Sequence, residues 1–256
     1  MSVTATIRHY ARALGMAPEI LRNCMRYRVV FLMSRWFKTP AQIRIAGKQI
    51  TLSEPARDET EADFIECFLR NCYGLGRQLG TLRTVVDVGA HAGFFALAVS
   101  SHYPEAIVDC YEPNPRILPF LQANVVHSKM RIFAEAIGSE EGWVSLIDDG
   151  QTDQARVEHE SGADVAQITM QTVLERAGGA IDLLKLNCEG AEWDILKPGI
   201  PWERVRHLRF EYHLYHRGSV EEMQQMLAQI GFKILRLQRR HAQAGIIWAL
   251  QERSAR

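Results

Sequence analysis

Two rhythms of apolar and polar residues alternate along this chain. Short, compact apolar runs bounded by glycine, proline or acidic residues predict strands near 84–88, 106–111, 131–135, 181–187, 205–212, 232–237 and 245–250. Between several of them, apolar residues three or four apart predict helices near 94–101, 115–123, 190–197 and 219–230. Val85, Val86 and Val88, interrupted only by Asp87, suit a strand covered on both faces. Strands alternating with helices predict an α/β fold with a mostly parallel, doubly wound, seven-stranded sheet. The last two runs, with Arg239, Arg240, His241 and Gly245 between them, read as a closing antiparallel hairpin.

Other segments fall outside that repeat. Tyr10, Leu14, Ile20, Leu21, Met25, Phe31, Leu32 and Phe37 recur at near-helical spacing, so residues 1–40 are expected to form an N-terminal helical extension. Within it Arg26, Arg28, Arg35 and Lys38 interleave with Tyr27, Trp36 and Phe37. That pattern fits either an amphipathic helix packed on the main domain or a surface that meets a membrane or partner. Two alternating segments from Gln42 to Leu52 flank Gly47-Lys48 and predict a hairpin, and Glu59 to Leu69 predicts a helix. Trp143 to Ile147 and Gln167 to Gln171 read as extra extended segments. The polar stretch from Asp148 to Asp164 between them reads as a lid or as a disordered insertion.

Composition narrows the function. The chain has 256 residues, 47% of them hydrophobic, enough for one substantial core. Thirty Lys and Arg balance thirty Asp and Glu, so no global charge draws the protein to nucleic acid or to an anionic membrane. Five scattered cysteines with no C-x-x-C pair argue against a disulfide framework or a structural zinc site. No run approaches the roughly 18 apolar residues of a transmembrane helix. Arg8 and Arg12 are not followed by the apolar segment of a secretory signal, and the expected compartment is the cytoplasm.

The chemistry concentrates in TVVDVGAHAGF, Thr84 to Phe94, where an apolar strand ends in a turn with two glycines. Gly89 and Gly93 admit left-handed angles or close passage of a ligand, and Asp87 lies at the strand end where open α/β sheets bind ligands. Glu112, 25 residues beyond Asp87 and at the end of the next strand, fits an acid that accepts hydrogen bonds from ribose hydroxyls. Pro113 and Pro115 hold the chain extended as it leaves the sheet. Gly89-Ala90-His91-Ala92-Gly93 lacks the third glycine of a dinucleotide fingerprint, which disfavours a nicotinamide oxidoreductase. An adenosine ligand without phosphates remains, and S-adenosylmethionine fits, its amino-acid tail near the backbone around Gly89.

The chain resembles the FkbM family of S-adenosylmethionine-dependent methyltransferases in three motifs, taken in order: VVDVGAHAG at 85–93, YEPNPRILPFLQANV at 111–125 and IDLLKLNCEGAEWDIL at 181–196. The resemblance implies a Rossmann-like class I methyltransferase fold over residues 41–256. It also implies an O-methyltransferase acting on a hydroxyl of a sugar or natural-product scaffold, a small-molecule or glycan acceptor. The cofactor-binding set expected from it is Asp87, Gly89, Ala90, His91, Gly93, Glu112, Pro113, Asn114 and Ala136, with His91 contributing through its backbone. The chain departs from the family where K-I-D-x-E-G-A-E has an acid and this sequence has Asn187. An amide orients a partner but takes no proton.

Candidate catalytic residues cluster at the next strand ends. Lys185 and Asn187 share a strand face, and Glu189 follows as first choice for general base or acceptor-orienting carboxylate, or simply as an acid at a helix start. Glu192 reads as such a helix acid, and Lys185 as a buried cation paired with an acid. Glu211, His213 and His216 project toward the same rim, and His213 is the alternative base. No close metal-ligand spacing appears, so no metal is expected. Because the sulfonium charge disperses as the methyl departs, Asp87 and Glu112 are expected to bind remote parts of the cofactor. N-methylation of an amine, which needs little base, would account for Asn187; a binding protein that keeps the cofactor fold without turnover is the other rival.

Overall fold

A computed structural model of the chain describes residues 18–55, 60–125, 129–147, 156–158, 164–214 and 218–252. Seven strands make the central sheet: β1 (Thr84–Val88), β2 (Ile107–Tyr111), β3 (Met130–Phe133), β4 (Ile181–Leu186), β5 (Val205–His213), β6 (Phe232–Arg239) and β7 (Ala244–Gln251). Their order is β3-β2-β1-β4-β5-β7-β6, with β7 antiparallel to both neighbours and the first five parallel. The predicted closing hairpin is thus present, inserted with its second strand inside the sheet. Val85 packs into the core on one face while Val86 and Val88 pack into the core on the other, as a doubly covered strand requires.

Helices Phe94–His102, Leu118–Val125, Glu192–Ile195 and Val220–Gln229 lie where helices were predicted, the third shortened to four residues. The predicted third strand divides. Met130–Phe133 joins the main sheet, whereas Glu135–Gly138 enters a small four-stranded sheet with Val165–Thr169, Gly142–Ile147 and Arg156–Glu158. The extended segment expected at 167–171 ends at Thr169, whose hydroxyl accepts from Thr172 N and caps an unpredicted helix, Met170–Arg176. Most of the polar stretch 148–164 lies outside the described residues.

Of the N-terminal helical extension expected over residues 1–40, residues 1–17 lie outside the described residues. A helix covers 18–27 and stops at Arg28, which takes φ +58 while Val29 N donates to Cys24 O at 3.0 Å, the 6→1 bond of a helix-ending motif. Val29 and Val30 are poor helix formers, and only a short 3-10 turn, Ser34–Trp36, follows. The hairpin pairs Gln42–Ile45 with Lys48–Thr51 through Ala46 and Gly47, both at positive φ. Thr60–Phe64 is α-helical and runs into a π-helical turn, Ile65–Leu69. Tyr27, Phe37, Phe64, Phe68 and Phe94 form one aromatic cluster that joins these segments to the sheet. Among the described residues no helix is long and apolar enough to cross a membrane.

Candidate active site

The carboxyl ends of β1, β2, β4 and β5 meet at one rim. At β1, Gly89 N and Ala90 N both donate to Tyr111 O at 3.0 Å, bending the chain back over β2. Gly89 has φ +70, and a Cβ there would stand 1.9 Å from the Asn187 carbonyl oxygen. Gly93 has φ +82, and its Cβ would stand 2.8 Å from Leu121 Cδ1. Both glycines take the left-handed angles that the sequence predicts, and the protein's own packing also leaves no room for a side chain at either. His91, at φ +47, donates its backbone N–H to Glu112 Oε2 (2.8 Å), and its ring Nδ1 lies 3.0 Å from Asp63 Oδ2. Asn124 Nδ2 donates to the carbonyls of Ala92 and Ser53, both at 2.7 Å, tying the turn to the hairpin's exit.

Glu112 is buried and held by backbone on both oxygens, since Asn114 N donates to Oε1 at 2.9 Å. Burial raises its pKa, and the two amides work against that rise. Each oxygen keeps a lone pair for a further donor. Pro113 sits half-buried between these residues. Asn114 Oδ1 accepts from Arg116 N (3.0 Å), while its Nδ2 is buried without a partner. Ala136 lies in the small sheet, packed with Val144 and Val165.

Asp87 is wholly buried, not turned to the crevice, and stands in register with Lys185 on β4. Lys185 Nζ is 2.9 Å from Asp87 Oδ1 and donates to Gly89 O (2.6 Å) and Val88 O (3.4 Å). Burial works against the Lys185 charge, yet Asp87 raises its pKa above the ordinary value. With three acceptors around it, Lys185 locks the glycine turn from beneath. Asn187 N donates to Val88 O (3.1 Å), and its Oδ1 is buried without a partner.

One step further out, the His213 ring sits between two carboxylates, Nδ1 3.3 Å from Glu192 Oε1 and Nε2 3.5 Å from Glu189 Oε1. Glu192 is fully buried and also accepts from Cys188 N (2.8 Å) and Gly190 N (3.0 Å), so its orientation is fixed. Trp193 Nε1 donates to His213 O at 2.8 Å, anchoring the strand end. Burial pushes the His213 pKa down, but Glu192 and then Glu189 more than offset this, and the net direction is up. Glu189 takes φ +50, a conformation few acidic residues adopt.

Residues 87–234, more than half of the chain, match the Methyltransferase FkbM domain. The chain belongs to this family. It is accordingly an S-adenosylmethionine-dependent methyltransferase. It is 28% identical to methyltransferase sdnD of Sordaria araneosa, across 72% of this chain and 87% of that protein. Among solved structures it is similar to the fibrillarin pre-rRNA processing protein of Methanococcus jannaschii, at 13% identity and a TM-score of 0.46, covering 88% of this chain and 86% of that one. Aeropyrum pernix fibrillarin with bound S-adenosylmethionine aligns at 11% identity and a TM-score of 0.42, over 76% of this chain and 75% of that one.

In this FkbM methyltransferase the structure brings together Gly89, Ala90, His91, Glu112 and Asn114 at the β1–β2 rim, and Glu189 with His213 at the β4–β5 rim. Glu211 shares the His213 face but is held by Arg240, whose Nη1 lies 2.8 and 3.1 Å from its two oxygens and whose Nη2 bonds Glu66. His216 lies outside the described residues. Sequence reasoning missed Glu192 as the partner of His213, and it missed Asp63 and Asn124 as supports of the glycine turn. Glu192 is a pattern signal after the fact: it falls three residues past Glu189 on the same tight turn.

Proposed function

We propose that the protein O-methylates a hydroxyl of a sugar or natural-product scaffold, with His213 as the base that receives the hydroxyl proton. The observation that carries this is the imidazole clamped between Glu192 and Glu189 at the β4–β5 rim, the strand β4 separating it from the glycine turn. When bound, the cofactor supplies an electrophilic methyl on a positively charged sulfur. The residues present fit it. Glu112 retains acceptor capacity for ribose hydroxyls, and the buried Asn187 Oδ1 and Asn114 Nδ2 are an acceptor and a donor left without protein partners, each costing about 1–3 kcal/mol unless a ligand meets it. Asn187 Oδ1 would take the ammonium of the amino-acid tail. Asp87 acts through Lys185 on the shape of the turn.

Once bound, the cofactor would give its methyl to the acceptor oxygen and leave as S-adenosylhomocysteine, while the hydroxyl proton is received by His213 Nε2. Glu192 fixes the ring through Nδ1 and stabilises the imidazolium that forms. Glu189, on the Nε2 side, orients the acceptor hydroxyl. The neutral Asn187 adds no negative charge to this rim, where an anion beside a bound sulfonium would stabilise the charged ground state more than the transition state.

The test is S-adenosylhomocysteine release with a panel of hydroxylated acceptors, measured against pH for the wild type and His213→Gln. O-methylation predicts that kcat/KM rises with pH through an inflection above 6.5, the ordinary histidine value, and that His213→Gln abolishes the inflection. Turnover of amines alone, with an unaltered profile in His213→Gln, would establish N-methylation instead.

A further inference from the structure

The chain is neutral overall, yet residues 20–53 hold seven Lys and Arg and no Asp or Glu, which leaves the remainder at net −7. The same segment carries six of the nine large apolar side chains that are exposed among the described residues: Leu21, Met25, Val30, Leu32, Met33 and Trp36. Val30 is 81% exposed, Leu32 82% and Trp36 64%. Surface leucines scattered singly need no explanation, but a concentration of exposed apolar side chains in a cationic segment marks an interaction site.

These side chains are rigidly mounted. Tyr27 meets Phe68 edge-on at 5.0 Å, Phe37 packs 5.5 Å from Phe64, and Asn23 Nδ2 donates to Leu69 O at 3.0 Å. With Tyr27, Val29 and Phe37 buried, their neighbours point out, and the left-handed turn at Arg28 lifts 29–33 off the helix axis as an irregular loop. Arg22 and Arg28 are exposed in the same segment. Arg26 and Lys38, also exposed, reach Ser101 O (2.6 Å) and Glu61 (2.7 Å).

We propose that this helix and loop dock the enzyme on an anionic lipid surface, with Val30, Leu32, Met33 and Trp36 entering the headgroup boundary and the cations facing acidic headgroups. Charge decides for a negatively charged occupant. Lipid is favoured because Val30, Leu32 and Met33 are exposed on an irregular loop and Trp36 on the 3-10 turn that follows, and a bilayer requires no shape complementarity of such a segment. Attachment is peripheral.

Full-length protein is sedimented with phosphatidylcholine vesicles, with and without phosphatidylglycerol. Binding should rise about tenfold with the anionic lipid and fall as salt is raised. The Val30→Ser/Leu32→Ser variant, altered at surface positions, should lose at least about tenfold of that binding while keeping wild-type thermal protection by S-adenosylhomocysteine, and Arg22→Gln/Arg28→Gln should weaken the salt dependence. No sedimentation with either vesicle overturns the proposal, as does undiminished binding of the serine variant. A wild-type dimer by light scattering that the serine variant makes monomeric overturns it in favour of a second copy, whose acidic remainder would then face the patch.

Discussion

Substituting Gly89 with alanine separates two costs that usually travel together, left-handed backbone strain and collision. At φ +70 an alanine pays about 1 kcal/mol for its Cβ in the left-handed region. The collision adds more. A contact of 1.9 Å with the Asn187 carbonyl oxygen must open to an ordinary 3.4 Å, so the end of β4 or the turn has to retreat by 1.5 Å. That movement pulls on Asn187 N to Val88 O, on Gly89 N to Tyr111 O and on Lys185 Nζ to Gly89 O. Loss of one backbone bond and desolvation of the lysine without its acceptor bring the total to about 4 kcal/mol. Gly47 is the control: φ +85 but nothing within 4 Å of a Cβ, so alanine there costs about 1 kcal/mol. Gly93 falls between, because the atom met is the tip of Leu121, which can swing aside. Urea midpoints at constant m should rank Gly47→Ala, Gly93→Ala, Gly89→Ala in order of increasing damage. A Gly89→Ala protein no weaker than Gly47→Ala would refute the close approach of β4 to the turn.

Three further outcomes follow from the charged clusters. Glu192→Gln should lower the pH inflection of kcat/KM, because the carboxylate that favours the imidazolium is gone, and should cost about 1–3 kcal/mol in chemical denaturation as Cys188 N and Gly190 N compete for one oxygen. Burial and the second acid Glu211, partly opposed by Arg240, lift Glu66 to about 7, above its unfolded value. Its stabilising contribution is full below pH 4.5 and lost as pH rises through 7, so Glu66→Gln should flatten the fall in stability between pH 5 and 8. Lys185→Met should cost about 3–5 kcal/mol by stranding Asp87, and adding Asp87→Asn should recover part of it in a double-mutant cycle by urea denaturation.

What the chain discloses by itself is what short-range chemistry controls. Val85, Val86 and Val88 announce a covered strand, and all seven strands of the main sheet fall within two residues of their predicted ends. Failures occur where partners are remote in sequence. Ala134 separates two strands that belong to different sheets, and only the pairing of Glu135–Gly138 with Val165–Thr169 shows it. Gly89 takes the left-handed angle its place in the turn predicts, but the Asn187 carbonyl, 98 residues away, is a second constraint that no local pattern shows. Glu211 has the face of a catalytic acid, yet Arg240 pairs with it and with Glu66 from another part of the chain. Glu192 is the helix-start acid its position predicts, but its second role depends on a ring 21 residues later. Periodicity reports which face a side chain takes; it is silent on what waits across the crevice.

Asn187 offers the sharpest test of how the cofactor is held. Asp is nearly the same shape, so Asn187→Asp changes charge and little else. With Oδ1 buried, the new acid has its folded pKa raised by burial above the unfolded value of about 3.9. The variant should therefore match the wild type in stability at low pH and fall behind it as pH climbs through the raised value. If the Asn187 side chain meets the ammonium of the amino-acid tail, the acid gains a cation exactly when ligand binds, and S-adenosylhomocysteine should raise the Tm of Asn187→Asp by more than it raises that of the wild type at neutral pH. The rate should move the other way, since an anion near the sulfonium deepens the ground state. Equal or smaller protection by S-adenosylhomocysteine would place the tail elsewhere and return the buried amide to a purely structural role.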